Sequence, residues 1–428
     1  MGNAGHLKYS DVVQLNRKLV LIYNWIYIFS YISRIAIQKY VLGGDNAGRG
    51  IFVMSILALL INLPKIVKFF FNNARPACQL WLWLTAFSFV NSMIMGYTWK
   101  DGFIFYVREN FTEPLVFLMV ATCMLREHQT KTLTVMLSSL LFFIAIGIFK
   151  TDFSTSYRGR YLNDDIGNFL PLFAVPTILV ASMLRQKEVI KKSFIPIVIL
   201  AFVSILLCAT RKAFAAILII LAAYMLGRIN MKKASHVTLL ITMIVVTYVG
   251  LTFVMENTVL GERFSGSFKE QEEVFPLVSD PVANKVLNGL VGDRAVMYYY
   301  GTKLFLEHPV NGVGLLNYSK ETGERIRIHS EYIVQLCENG IIGFALLVAF
   351  IAVVLHQLMN AEMRQETHKI VIGGFLAMLV IDFTAWTYCS DYAMVVYAVV
   401  LATLYPKTKT VDITAEEKED EENSNSEQ

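Results

Sequence analysis

The chain has 428 residues, of which 55% are hydrophobic and only 17% charged, whereas an ordinary soluble domain carries about 25% charged residues. This composition excludes an ordinary soluble globular protein, and a net charge of +4 gives no support to nucleic-acid binding. The five cysteines show no CxxC spacing, which argues against a disulfide framework or a zinc site.

Long apolar runs recur along the chain, and a helix needs about 20 such residues to cross a bilayer. They predict an all-α, polytopic membrane protein of about 12 transmembrane helices. The predicted spans are 19–40, 51–64, 79–97, 103–124, 133–149, 169–184, 194–209, 213–227, 237–255, 340–356, 370–386 and 392–405.

The distribution of Lys and Arg gives the orientation, because these residues concentrate in cytoplasmic loops. Both termini are predicted inside and one large loop outside. The predicted units are an N-terminal transmembrane bundle of about nine helices, a large periplasmic loop with two amphipathic helices, C-terminal transmembrane helices, and an acidic, disordered cytoplasmic tail. Their bounds are 1–255, 256–339, 340–405 and 406–428.

The large loop contains two helical patterns separated by a glycine turn. The first, GDRAVMYYYGTKLFLEHP, has Asp293 as a suitable N-cap and Pro309 as its terminator. After the turn Asn311–Gly314, a second helix is predicted to begin near His329 and to run into the tenth span through Gly340.

His329 is the histidine that remains for chemistry on the predicted outer face. Of seven histidines, the predicted topology leaves only His308 and His329 outside, and His308 fits a helix-ending role before proline. The alternative for His329 is packing, because Ile333 and Leu336 follow at helical spacing. Glu331 lies on another face of the same predicted helix.

Arginines form a second pattern on the predicted outer face. Arg158 and Arg160 precede the sixth span, Arg211 lies in a polar break between two apolar runs, and Arg294 opens the first loop helix. Guanidinium groups bind phosphate oxygens bidentately and remain charged when buried. These four residues therefore predict a pocket for a lipid diphosphate; solvated loop positions, and snorkelling for Arg211, are the alternatives.

The fourth span carries ionisable residues at its start, and such residues in a membrane span suggest function. Arg108 and Glu109 are candidate cleft residues together with Glu331, and Glu113 follows one turn later. A self-neutralised pair packed between helices is the other interpretation of Arg108 and Glu109.

The order of these residues resembles a known family. The run Gly292-Asp-Arg294, Glu307-His-Pro309-Val-Asn-Gly-Val-Gly314, His329 and Glu338-Asn-Gly-Ile-Ile-Gly343-Phe is similar to the O-antigen ligase and O-antigen polymerase family. That family shows an arginine, an HPxxGxG turn, a histidine and then ExGxxG entering a membrane helix. Thr210-Arg211 resembles its Ser-Arg pair, and 163–168 its Asn-rich entry to a span. Ser330 departs from the asparagine that often follows the histidine.

The resemblance implies a GT-C-like enzyme on the periplasmic face of a bacterial inner membrane, working in polysaccharide or lipopolysaccharide biosynthesis. Its donor would be a glycan on undecaprenyl diphosphate, and its acceptor lipid A–core or another lipid-linked glycan. It implies transfer with inversion and without a metal or other cofactor. His329 would be the catalytic base, and Arg211 and Arg294 would stabilise the leaving diphosphate.

Two alternative functions remain open from the sequence. The first is a metal-dependent GT-C glycosyltransferase with a divalent cation on Asp164 and Asp165, since adjacent carboxylates can bind Mg²⁺. The second is a non-enzymatic transporter or flippase of lipid-linked glycan, for which Arg108, Glu109 and Glu113 are the intramembrane candidates.

Overall fold

A computed structural model describes the greater part of the chain. The described residues are 9–37, 46–71, 75–95, 107–149, 165–208, 211–226, 276–277, 279, 281, 284, 295–315, 317–323, 328–361, 364–383, 385 and 390–405. All regular structure in these ranges is helical, which agrees with the predicted all-α class. The predicted ninth span, the first part of the large loop and the acidic tail lie outside the described residues.

The N-terminal half of the described chain is a series of long helices. They are α1 (Tyr9–Ile32), α2 (Asn46–Ile66), α3 (Pro76–Ile94), α4 (Glu113–Glu127), α5 (Gln129–Phe149), α6 (Asp165–Gln186), α7 (Phe194–Cys208) and α8 (Arg211–Leu226). A single helical turn, Arg34–Ala36, follows α1, and wide π-helical turns cover Val67–Phe71 and Val107–Thr112. Pro76 opens α3, where its missing N–H removes no helical hydrogen bond.

The C-terminal part contains two loop helices, α9 (Ala295–Glu307) and the short α10 (Tyr318–Thr322). Three long helices follow: α11 (Glu331–Met359), α12 (Gln365–Asp382) and α13 (Asp391–Leu404). α11 packs on α3 and on the loop helix α9, α12 packs on α8, and α13 packs on α4.

The core of the bundle lies around α4, α6 and α13, whose side chains are buried almost all round. Peripheral helices instead expose large apolar side chains, as a lipid-facing surface does. Examples are Leu60 on α2, Trp83 on α3 and Ile195 on α7, each at least 60% exposed. The outer surface of this bundle is therefore apolar, whereas the surface of a soluble protein is mostly polar.

By length and composition, four described helical stretches suffice to cross a membrane: Arg49–Phe71, Pro76–Ile94, Gln129–Phe149 and Glu331–Met359. Four shorter apolar helices accompany them: Leu170–Gln186, Phe194–Leu207, Lys212–Leu226 and Asp391–Leu404. The chain is thus a helical, multi-pass membrane protein.

Two helices extend well beyond the apolar runs that predicted them. α1 begins at Tyr9, ten residues before the predicted span, because the helix continues through polar residues that hydropathy does not register. α11 joins the predicted second loop helix and the tenth span into one element, with a break in its backbone at Gly340 (φ 61°, ψ −163°).

Candidate functional site

The glycine turn after α9 is bonded to the break in α11. At Gly340 the backbone leaves helical geometry, so nearby N–H and C=O groups lose their helical partners. Backbone atoms of the turn supply those partners. The bonds are Val313 N to Cys337 O (2.9 Å), Gly314 N to Glu338 O (2.8 Å), Ile341 N to Pro309 O (2.9 Å) and Ile342 N to Val310 O (3.3 Å). The turn and the break therefore form one interlocked unit.

Glycine is required on both sides of this interlock. Gly312 and Gly340 have positive φ angles of 65° and 61°, a region that L side chains rarely adopt. A Cβ on Gly312 would lie 2.5 Å from the Cys337 carbonyl oxygen, and one on Gly340 would overlap the carbonyl of Val310. Both the backbone angle and the close approach exclude a side chain.

The end of α3 holds the same turn from the other side. The Asn91 side-chain amide donates to the carbonyls of Asn311 (2.6 Å) and Glu338 (3.1 Å). Ser92 Oγ accepts the Leu315 N–H at 3.2 Å. The turn is therefore fixed between α3 and α11, although these helices are far apart in sequence.

His329 lies in extended chain immediately before α11. The helix begins at Glu331, and its N-cap Ser330 has extended backbone angles (φ −155°, ψ 124°) with no side-chain capping bond. The helical spacing that we used to place His329 on one face with Ile333 and Leu336 is therefore wrong for the histidine. His329 is half-buried, between the buried side chains of Ile328 and Ser330.

The backbone that follows the histidine is anchored. The amide of Glu331, the first of α11, donates to the carbonyl of Ala385 at 3.1 Å, which satisfies one otherwise unpaired helix-end donor. Ala385 belongs to the connection between α12 and α13. In the same connection, Phe383 accepts a hydrogen bond from the Tyr298 hydroxyl of α9. The α12–α13 connection thus contacts both α9 and the start of α11.

Glu331 continues as the first member of a buried polar ladder on α11. Gln335 Nε2 donates to Glu331 Oε1 (2.8 Å), and Asn339 Nδ2 donates to Gln335 Oε1 (2.9 Å). Glu331 is 1% exposed and Glu338 is fully buried. Glu331 is therefore buried next to the histidine in sequence, and its predicted place in a substrate cleft stays a prediction.

A second charged cluster joins three helices that the sequence did not connect. Arg34 donates through Nη1 to Glu113 Oε2 (2.5 Å) and through Nε to Asp391 Oδ2 (2.7 Å). Arg108 Nε lies 3.8 Å from Glu113 Oε1. Glu113 is fully buried. The side chain of Glu109 lies outside the described atoms, so its predicted pairing with Arg108 stays a prediction.

Sequence reasoning missed Arg34 and Asp391. The available signal was a charged residue at the end of an apolar run in each case, which in a membrane helix calls for a partner. The partner could not be named, because the two residues are 357 positions apart.

The predicted diphosphate-binding arginines are only partly located. Arg211 is the first residue of α8, but its side chain lies outside the described atoms. Arg158, Arg160 and Arg294 lie outside the described residues, with Arg294 immediately preceding α9. The four therefore stay predictions as a group.

His308 is exposed at the end of α9, where its amide donates to Leu304 O (2.9 Å) and its carbonyl accepts from Gly312 (3.0 Å). Within the described ranges, no group of three or more His, Cys, Asp or Glu side chains could hold a metal ion. Asp164, one of the pair considered for a cation, lies outside those ranges.

The fold and this interlocked turn define a multi-pass helical membrane protein in which the segment after α9 is bonded to α11. Residues 196–348 match the family model described as O-Antigen ligase, so this segment of the chain is similar to the O-antigen ligase and polymerase family. The match runs from α7 through the glycine turn and His329 into α11, which confirms the resemblance seen in the sequence. A comparison with curated proteins found no match.

Proposed function

We propose that the protein transfers a glycan from undecaprenyl diphosphate to a sugar hydroxyl of an acceptor at the periplasmic face of a bacterial inner membrane. The acceptor is lipid A–core for a ligase or another lipid-linked glycan for a polymerase. The observation that carries the proposal is the family match over residues 196–348, which contains both the interlocked turn and His329.

In the proposed reaction, His329 accepts the proton of the attacking acceptor hydroxyl. The hydroxyl oxygen forms a bond to the anomeric carbon as the bond from that carbon to the diphosphate oxygen breaks, and the electron pair leaves with the diphosphate. A single displacement of this kind inverts the anomeric configuration. A positioned base typically contributes about 10²–10⁴-fold in rate, and neutral imidazole is suited to the task near pH 7.

The leaving diphosphate needs charge stabilisation rather than protonation, and this is the role proposed for Arg211 and Arg294, assisted by Arg158 and Arg160. Guanidinium groups supply fixed positive charge and paired donors to phosphate oxygens. Arg211 opens α8 and Arg294 precedes α9, so both lie near helix N-termini, which themselves favour anions. No metal or other cofactor is assigned to the reaction.

Contacts between helix ends support the proposed alternation of the spans. Residues predicted at the outer ends of spans contact one another, and so do residues predicted at the inner ends. The outer contacts include Arg34–Asp391, Asn91–Asn311 and Glu331–Ala385, and the inner contacts include Lys65–Glu127, Gln186–Thr367 and Arg126–Tyr405. An alternating path through the bilayer produces this sorting.

The role of His329 is tested in proteoliposomes, where glycan transfer and the release of undecaprenyl diphosphate are measured in the same assay. His329→Ala should lower the rate by about 10²–10⁴-fold while donor binding is retained. In the wild type, activity should rise with pH along the acidic limb of the pH–rate profile, because the base must be unprotonated. His308→Ala is the matched control, since that histidine is exposed and outside the interlock.

Three outcomes separate the alternatives. If His329→Gln keeps near-wild-type turnover with an unchanged acidic limb, the base lies elsewhere, with Glu331 or Asp164 next in line. Loss of wild-type activity in EDTA would favour the metal-dependent enzyme with Asp164 and Asp165. Movement of intact donor without release of undecaprenyl diphosphate would identify a carrier.

A further inference from the structure

An arginine–aromatic cluster lies at the end of the bundle opposite the candidate site. Its members are Phe69 after α2, Arg75 before α3, Arg126 at the end of α4 and Tyr405 after α13. The Arg126 guanidinium lies 4.1 Å from the Phe69 ring centroid, and the Arg75 guanidinium lies 5.1 Å from Phe69 and 4.6 Å from Tyr405. The two rings meet edge to face at 5.9 Å. Four separate segments thus place two cations around one aromatic pair.

The two guanidinium groups are held in position without being neutralised. Arg126 Nε donates to the Tyr405 carbonyl, and the Tyr405 hydroxyl donates to Gln357 Oε1 at 2.7 Å. The Nε atom of Arg75 is shielded from solvent and has no hydrogen-bond partner among the described residues. Stacking on rings fixes a guanidinium but leaves its in-plane donors available.

The cluster has an excess of positive charge. In the described part of the chain, no carboxylate lies within ion-pair distance of Arg75 or Arg126. Glu127 follows Arg126 directly but pairs with Lys65 instead. Two like charges held beside one ring repel each other, so an anion that contacts both would relieve a cost already built into the fold.

The position of the cluster favours a lipid over a free ion. It lies where the candidate spans Arg49–Phe71 and Pro76–Ile94 end and begin, which is the headgroup level of a bilayer. Phe71 and Val67, in the same wide turn as Phe69, are 58% and 40% exposed, and apolar side chains there would meet acyl chains. Basic pockets between helix ends are a known arrangement for anionic headgroups.

We propose that Arg75 and Arg126 form a binding site for the phosphate of an anionic phospholipid, seated at the proposed cytoplasmic end of the bundle. The guanidinium donors bind the phosphate oxygens, and the acyl chains run along the exposed apolar side of the wide turn. The proposal is independent of the reaction at the outer face.

The test uses the purified full chain in nanodiscs of phosphatidylcholine with increasing phosphatidylglycerol. Retained phosphatidylglycerol is counted by native mass spectrometry, and the unfolding temperature is followed in parallel. Arg75→Gln/Arg126→Gln should bind phosphatidylglycerol about tenfold more weakly or worse, the scale of losing charge-assisted bonds. The control is Lys191→Gln/Arg364→Gln, which removes two exposed basic residues that pair with Glu188 and Glu366.

Each result decides the matter. Loss in the cluster variant with retention in the control supports the site, whereas equal loss in both shows diffuse charge and overturns it. Absence of retained phosphatidylglycerol in the wild type also overturns it. If inorganic phosphate with phosphatidylcholine reproduces the thermal shift, the site takes free phosphate and the lipid assignment fails. Should the glutamine variant not fold, Arg75→Lys/Arg126→Lys replaces it; that variant keeps the charge without the fork and should bind at an intermediate level, while unchanged binding would contradict the guanidinium geometry.

Discussion

Among single residues, Gly340 carries the clearest steric demand. It combines a positive φ angle with contact against the Val310 carbonyl, whereas Gly323 has a positive φ angle of 72° with no heavy atom within 4 Å of its virtual Cβ. Gly50 has neither a positive φ angle nor such a neighbour. Substitutions at these three positions therefore separate the effect of a close atomic contact from the effect of backbone strain.

We expect Gly340→Ala to lower the free energy of unfolding by about 2–4 kcal/mol, because strain of about 1–3 kcal/mol is joined by displacement of the turn. Gly323→Ala should lose only the strain contribution, and Gly50→Ala should be neutral or slightly stabilising, since alanine favours a helix. The measurement is denaturant unfolding in detergent. Equal effects at Gly340 and Gly323 would mean that the interlock contributes nothing beyond the backbone angle.

Some residues of the candidate site could be identified from the sequence alone. The glycine turn, the histidine and the order of the motif could be read from the sequence, because each is a local pattern that the family shares. The extended conformation of His329 was not, because helical spacing was continued two residues past the N-terminus of α11. Ser330 provides no side-chain cap, so the helix start is fixed by the distant Ala385 carbonyl, which no local pattern reveals.

At the scale of helices, the Arg34 cluster joins the end of α1 to α4 and α13. Arg34 also lies 5.3 Å from the Tyr31 ring centroid, and Tyr31 stacks on Phe117 of α4 at 4.2 Å. Removing one partner from a buried ion pair leaves the other charge uncompensated, which typically costs about 3–5 kcal/mol.

Glu113→Ala should therefore lower the free energy of unfolding by about 3–5 kcal/mol. The matched control is Glu127→Ala at the other end of the same helix, whose partner Lys65 is more exposed; an exposed pair contributes about 0–1 kcal/mol. Unfolding of both variants and of Arg34→Met, alone and combined with Glu113→Ala, gives the coupling energy. A coupling near zero would show that Arg34 and Glu113 act independently.

Helix positions were largely predictable and helix partners were not. Outside 237–255, each predicted span overlaps a described helix, because an apolar run long enough for a bilayer has few other stable conformations. The ends of the helices were less predictable, since α1 and α11 continue through polar residues. Pairings such as α3 with α11 depend on side-chain packing across long sequence separations, and hydropathy carries no information about that.

At the scale of the whole molecule, the proposed orientation makes a direct prediction about accessibility. In a variant lacking the native cysteines, Glu270→Cys should react with an impermeant thiol reagent in intact spheroplasts, because basic-residue asymmetry places 256–339 outside. Ser424→Cys should react only after permeabilisation. The cysteine-less parent gives the background, and the reverse labelling pattern would invert the topology.

The bonds between the glycine turn and α11 use main-chain atoms alone. What this unit demands is therefore mainly shape: Val310 is exposed and contributes its main-chain carbonyl, whereas Gly312 and Gly340 leave no room for a side chain. The sequence motif by which such a domain is recognised therefore reflects its backbone geometry. Under the proposed function, side chains around the turn can change with the acceptor while the main-chain bonds of the interlock stay the same.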